Sequence, residues 1–150
     1  MQSEQQAQSH DGAAAADHPG AGLGLPASGP GSLAGWMARI TALVLDWAFS
    51  MLFGVLVFGL DVLTADDWRQ FVTLGAFFVE TSALVAITGA SVGQLLCRIT
   101  VVRVDGQRIG VLRAMARALM VCLVIPALVI GADRRGLHDL ALGTVVLSRR

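Results

Sequence analysis

Arg39-Ile-Thr-Ala-Leu-Val-Leu-Asp46, with the apolar run that carries it on to Leu60, decides how this chain is read. Between residues 40 and 60, Asp46 is the only strongly polar side chain. At about 1.5 Å of rise per residue the run is roughly 30 Å long as a helix, the thickness of a bilayer's hydrocarbon core. It predicts a membrane-spanning helix over about residues 37–60. Trp36 and Arg39 stand at its entry, where an indole ring and a snorkelling guanidinium belong at headgroup depth. An aspartate inside such a helix costs about 2.5–3.5 kcal/mol on insertion scales, so something must compensate for it or use it.

Working outward, the acidic stretch 61–70 (DVLTADDWRQ) is only long enough to turn the chain back, and Trp68 marks the next interface. A second, antiparallel span is expected over about 71–90, less apolar than the first and carrying Glu80 near its middle. A carboxyl at that depth faces protein or water; it is either a structural group bonded to nearby hydroxyls or a reversible proton site. Residues 91–117 then bring Arg98, Arg103, Arg108, Arg113 and Arg117 against Asp105 alone. By the positive-inside rule this surface is cytoplasmic and meets anionic lipid headgroups, with the N-terminus on the same side. Beside two spans, that assignment is preferred to nucleic-acid binding.

A third apolar segment, about 111–132, has a short uninterrupted part after Arg117 that contains Pro126. It either spans or bends at the proline and returns. Spanning would put the basic C-terminus outside, against the charge rule. Returning would let Gly143-Thr-Val-Val-Leu147 pair with the β-branched run from Ile99 to Val104 as a minimal sheet at the cytoplasmic surface. The fold expected is therefore an all-α membrane protein with two transmembrane helices, a third spanning or re-entrant segment and this β-pairing.

The composition agrees, with 55% hydrophobic and 15% charged residues and a net charge of zero in 150 residues. Residues 1–34 are Gln, Ala, Gly, Pro and Ser with Glu4, Asp11 and Asp17, too polar to offset chain entropy, and read as a disordered acidic tail and not a signal peptide. The membrane domain is then 35–150. Cys97 and Cys122 have neither metal spacing nor a C-x-x-C motif. His138-Asp139 lacks the three or four ligands of a zinc site, and no phosphate-loop, zinc-protease or nucleophile-elbow motif occurs. No metal, cofactor or enzymatic activity is expected.

Several motifs together resemble the RDD family of small bacterial membrane proteins. Arg39 stands at the start of the first helix and Asp46 in its middle, as the family's arginine and first aspartate do. Gly93-Gln-Leu-Leu96 followed by Val101-Val102, Asp105-Gly106, the Arg113/Arg117 pair and Arg135-Gly-Leu-His-Asp139 leading to Gly143-Thr-Val-Val146 extend the likeness over about 35–150. The second family aspartate is placed at Asp139, with Asp105 as the alternative. Gln94 and Leu95 depart from the Lys and Arg of many relatives, and the loop between the first two spans is short. The family's molecular function is largely undefined. The resemblance implies a multi-pass protein of the bacterial inner membrane and transport of an unidentified ligand, with cation/proton exchange in some members.

The candidate functional or structural charges are thus Arg39, Asp46 and Asp139, with Glu80 as an intramembrane ionisable site and Arg113 and Arg117 as charge partners. Arg117 enters the third segment at the depth of Asp46, so an Asp46–Arg117 pair is expected to clamp that segment to the first helix. Asp139 is expected to anchor the C-terminal backbone against arginines such as Arg98 or Arg135. The competing functional class is a non-transporting anchor or regulator that engages a protein partner through the arginine-rich face. Two or three helices enclose little of a pathway alone, so a transporter would be a homo-oligomer.

Overall fold

The structure, a computed structural model, describes residues 18–123 and 136–149. Helix α1, Trp36–Phe58, is apolar on every side and stops at Gly59, whose φ of 80° suits a residue without a β-carbon. Helix α2, Gln70–Thr88, stops in the same way at Gly89, where φ is 77°. Both agree with the expected spans to within a turn. Trp47 stacks on Phe77 at 5.3 Å and Phe58 meets Trp68 edge-on at 5.8 Å, pairings that run in opposite directions along the chain and make the helices antiparallel.

Only 22% of the most apolar window of each helix is buried. Leu56 at 76% and Ile87 at 72% exposure are typical of the outer faces. A soluble core helix would hide these side chains; a pair of helices long enough to cross a bilayer presents them to lipid. The chain is a membrane protein.

Beyond α2 the chain forms a five-residue helix α3, Val92–Leu96, then strand β1, Ile99–Arg103, helix α4, Val111–Cys122, a short helix α5, Leu137–Leu142, and strand β2, Thr144–Ser148. β1 and β2 pair antiparallel, from Ile99 opposite Ser148 to Arg103 opposite Thr144, which is the small sheet expected from the two β-branched runs. Residues 31–34 add to its other edge. The Gly31 and Ala34 amides donate to the carbonyls of Ser148 and Val146, both at 2.9 Å, and Ser148 returns a bond to Ser32 at 2.8 Å. The first part of the expected tail, 1–17, lies outside the described residues; its last residues differ from the expectation because an open strand edge offers their backbone partners that side-chain composition does not predict.

This sheet bears on the third apolar segment. Its residues 124–135 lie outside the described ones, but the chain leaves β1 at Arg103 and re-enters β2 directly opposite, at Thr144. Whether the third segment spans or returns falls on residues outside the described ones. Helix α4 is roughly 18 Å long by its twelve residues, too short to span. It buries Ala114, Arg117 and Ala118 and turns Leu112, Met115 and Leu119 outward. An exposed apolar face over a buried arginine is the pattern of a helix set against lipid, not water.

Helix α3 is seated hard against α1 through Gly93. A β-carbon there would stand 2.0 Å from the Ala42 carbonyl oxygen and 2.9 Å from Asp46 Oδ1, and backbone cannot swing aside as a flexible side chain can. Gly93→Ala is expected to destabilise the purified protein in detergent by about 3 kcal/mol or to prevent its accumulation. Gly75→Ala, where a β-carbon meets nothing within 4 Å, should leave the unfolding temperature unchanged.

Candidate functional site

Two clusters of charge lie near one another at the end of the helix pair that carries the sheet. The first is built on α3. Ser91 caps this helix: its hydroxyl accepts from the Gln94 amide at 3.3 Å while the Gln94 side chain accepts from the Ser91 amide at 3.1 Å. The same hydroxyl donates to Asp46 Oδ2 at 2.6 Å, and Asp46 Oδ1 accepts from the Gly93 amide at 2.6 Å. Glu80 reaches in from α2, accepting from the Val92 amide at 3.0 Å through Oε1 and from the Thr81 hydroxyl at 3.1 Å through Oε2. The first three amides of α3 are thus each held by an oxygen from a different residue: Glu80, Asp46 and Ser91. Charge-assisted bonds of this kind are the strong ones, and they answer the orphan N–H groups that any helix start presents.

The second cluster closes on Asp139, which is wholly buried. Arg117 Nε donates to its Oδ1 at 3.0 Å, and the Thr144 hydroxyl donates to the same oxygen at 2.9 Å. Arg39 lies 3.6 Å from Oδ2 while its Nε donates to the Ala34 carbonyl and its guanidinium sits 5.7 Å over the Trp36 ring. His138 Nε2 is 3.6 Å from Oδ1. Burial alone would raise the Asp139 pKa, but the fields of Arg117, His138 and Arg39 and the Arg117 hydrogen bond outweigh it and hold the carboxyl below the usual carboxylate range.

Between the clusters lies a cavity of about 100 Å³, reached by Asp46, Thr81 and Gln94 on one side and by Arg39, Arg117 and Asp139 on the other. It is large enough for several waters and offers them polar partners. Arg39, Arg117, His138, Asp46 and Asp139 all border it, and the ion pairs among them close on Asp139.

The expected Asp46–Arg117 pair is corrected by this geometry. Arg117 faces the same cavity as Asp46, yet its ion pair is with Asp139, and Asp46 takes its bonds from Ser91 and Gly93. The reason is that Asp139 is presented by a short helix directly opposite α4, whereas the α3 amides reach Asp46 first. Asp139 accordingly anchors on Arg117 and Arg39 and not on Arg98, which is exposed; Arg135 lies outside the described residues. Arg113 is half-buried and makes no ion pair among the described residues. Of the two aspartates weighed for the second motif position, Asp139 meets Arg39, while Asp105 stands in the turn after β1 against Arg103. Glu80, which has no obvious side-chain partner in the sequence, has a backbone one. Ser91, Gly93 and Thr81 were not singled out as site residues; the Ser91-x-x-Gln94 capping box is a legible signal for the first two.

These features define a membrane protein whose apolar helix hairpin carries a buried aspartate and a half-buried glutamate, tied at one end to an arginine–aspartate cluster. The chain matches the model of the RDD family over residues 33–143 and belongs to that family. No curated protein and no solved structure matches it.

Asp139→Ala is expected to cost about 3–5 kcal/mol in unfolding free energy, because it strands two buried guanidiniums; Asp105→Ala should be near neutral. The folded-state pKa of Asp139 lies below its unfolded value. Its contribution is therefore complete above about pH 3.9 and lost as pH falls through the lower folded value, so thermal unfolding of wild type and Asp139→Asn will differ by a constant amount above that pH and converge as the pH is lowered below it.

Proposed function

We propose that the protein exchanges protons for cations across the bacterial inner membrane, with Glu80 and Asp46 as its intramembrane carboxylates. The observation that carries this is the meeting of the two carboxylates, from two separate apolar helices, on adjacent amides of one short helix beside a cavity that Asp46, Arg39 and Arg117 border. A purely structural helix start needs one carboxylate, and like charges brought close make the second easier to protonate. Intramembrane carboxyls beside water mark ion and proton pathways in general, and the family resemblance points the same way.

In this reading α1 and α2 both cross the membrane, the chain is multi-pass, and the sheet with its arginines faces the cytoplasm together with the N-terminus, as the positive-inside rule directs. The protein works as a homo-oligomer, since one helix pair encloses little of a pathway. The competing reading, an anchor or regulator acting through its basic face, is favoured by Arg98 and Arg108, exposed and without an ion pair among the described residues. Their nearest chemical match is the anionic lipid headgroup, with a protein partner as the alternative.

The test is proton flux in proteoliposomes on addition of Na⁺, K⁺ or Li⁺. Cation-dependent flux is expected, reduced at least about tenfold by Glu80→Gln and by Asp46→Asn. Absence of flux from folded protein, or flux that survives both substitutions, would overturn the exchange reading in favour of the anchoring one.

A further inference from the structure

A second cavity, of about 200 Å³, opens where the last turn of α2 meets β1 and the loop after it. Its depth follows from the helix pair. The stacking of Trp47 on Phe77 and of Phe58 against Trp68 fixes an antiparallel register that, continued, brings Thr88 level with the first turn of α1, where Trp36 stands at headgroup depth. One wall is accordingly apolar and on the lipid side, made by Val85, Ala86 and the exposed Ile87. The opposite wall is the loop, with Gln107 and Arg108.

The side-chain groups left open at this cavity are donors. Arg108 is exposed and makes no ion pair among the described residues. Gln107 accepts from Arg103 Nη1 at 2.9 Å through its side-chain oxygen, so its amide nitrogen keeps both hydrogens for another acceptor. Thr100 Oγ1 accepts from Arg149 Nη2 at 3.1 Å, which brings a second guanidinium to the rim.

The oxygens that would repel an anion are engaged elsewhere. At the end of α2 the Thr88 hydroxyl donates to the Leu84 carbonyl at 2.9 Å and the Gly89 amide to that of Val85 at 3.0 Å. The Gly89 carbonyl accepts from the Val101 amide at 2.7 Å and from the Thr100 hydroxyl at 3.1 Å. Among the described residues no carboxylate lines the cavity; Asp105, in the adjoining turn, is held by the Arg103 guanidinium and the Gln107 backbone amide.

We propose that this cavity binds the phosphate of an anionic phospholipid headgroup, with Arg108 and Gln107 as its donors and the acyl chains descending past Ile87. The ligand is an amphiphile because the cavity joins a lipid-side apolar wall to a water-side polar one. It is anionic because the open groups donate, and a phosphate oxygen accepts charge-assisted bonds from a guanidinium. A zwitterionic headgroup would bring an ammonium for which no carboxylate stands ready. Seated there, the headgroup ties the loop after β1, and through β1 the small sheet, to the bilayer surface. This inference stands apart from ion exchange and needs no proton or cation flux. It gives Arg108 a defined ligand, whereas Arg98, also exposed, lies outside the cavity.

The test is native mass spectrometry of the purified protein in detergent, titrated with dioleoyl phosphatidylglycerol, dioleoyl phosphatidylcholine or inorganic phosphate. Phosphatidylglycerol is expected to bind at least about fivefold more tightly than phosphatidylcholine, the worth of one well-placed cation. Arg108→Gln should bring the two lipids within about twofold of each other, while Arg98→Gln leaves the preference intact. Val102→Phe, which fills the cavity and spares every arginine, should abolish the preference in protein that thermal unfolding shows to be folded. Both arginines are exposed, so their variants decide the matter should Val102→Phe not accumulate. Equal binding of the two lipids by wild type, or a preference that Arg108→Gln retains, would overturn the proposal. A preference lost equally in Arg98→Gln, or kept in folded Val102→Phe, would overturn it in favour of diffuse attraction by the basic face. Displacement of phosphatidylglycerol by an equal concentration of inorganic phosphate would overturn the lipid assignment in favour of a free oxyanion.

Discussion

The seating of α3 on Asp46 is the constraint on which the rest of the structure depends. A lone carboxylate in an apolar helix is costly, and so is a helix start whose amides have no acceptor. Placing one against the other satisfies both, with bonds of 2.6 Å from Ser91 and from the Gly93 amide. The contact also fixes where the chain goes next. β1 begins only three residues after α3, so holding α3 against α1 carries β1 beside the start of α1, where β2 and residues 31–34 close the sheet.

The Asp139 cluster secures the same end from the other direction. Arg39, Arg117 and Asp139 come from the first helix, the amphipathic helix and the C-terminal segment, and no two are neighbours in sequence. A buried ion network of this kind is a weak source of net stability, since desolvation offsets much of the attraction. It is a strong selector of arrangement, because any packing that separates Asp139 from its two arginines leaves bare charges inside. That selectivity matters in a small protein whose two long helices bury little against one another and expose most of their surface to lipid.

How legible all this was in the sequence follows from what each feature depends on. The spans were legible because lipid demands long apolar runs, and the strand pair because the β-branched runs 99–104 and 143–147 stand out from their surroundings. The third segment was ambiguous on length and charge, and its middle falls outside the described residues. The partner of Asp46 was misassigned because a match of depth and charge named Arg117, whereas geometry offered a nearer backbone donor. For Glu80 the expected hydroxyl partner is present in Thr81, whereas its bond from the Val92 amide was not legible, because reasoning over side chains does not count amides. Helix α3 is too short for periodicity to reveal, so only its capping box could have announced it.

The two carboxylates are consequently unequal, and this inequality is a property of the fold more than of the residues. Asp46 is buried, takes two short bonds from Ser91 and the Gly93 amide, and borders a cavity that Arg39, Arg117, His138 and Asp139 also line. Glu80 borders an apolar groove and touches only a hydroxyl and an amide. Yet they are joined through the single peptide between Val92 and Gly93, whose flanking amides they hold. A change of charge at Glu80 therefore acts on the helix start that Asp46 also grips, and Gly93, packed against Ala42, leaves that start no room to move toward α1. The response must be taken up on the α2 side, where Glu80 and Thr81 sit between the groove and the cavity.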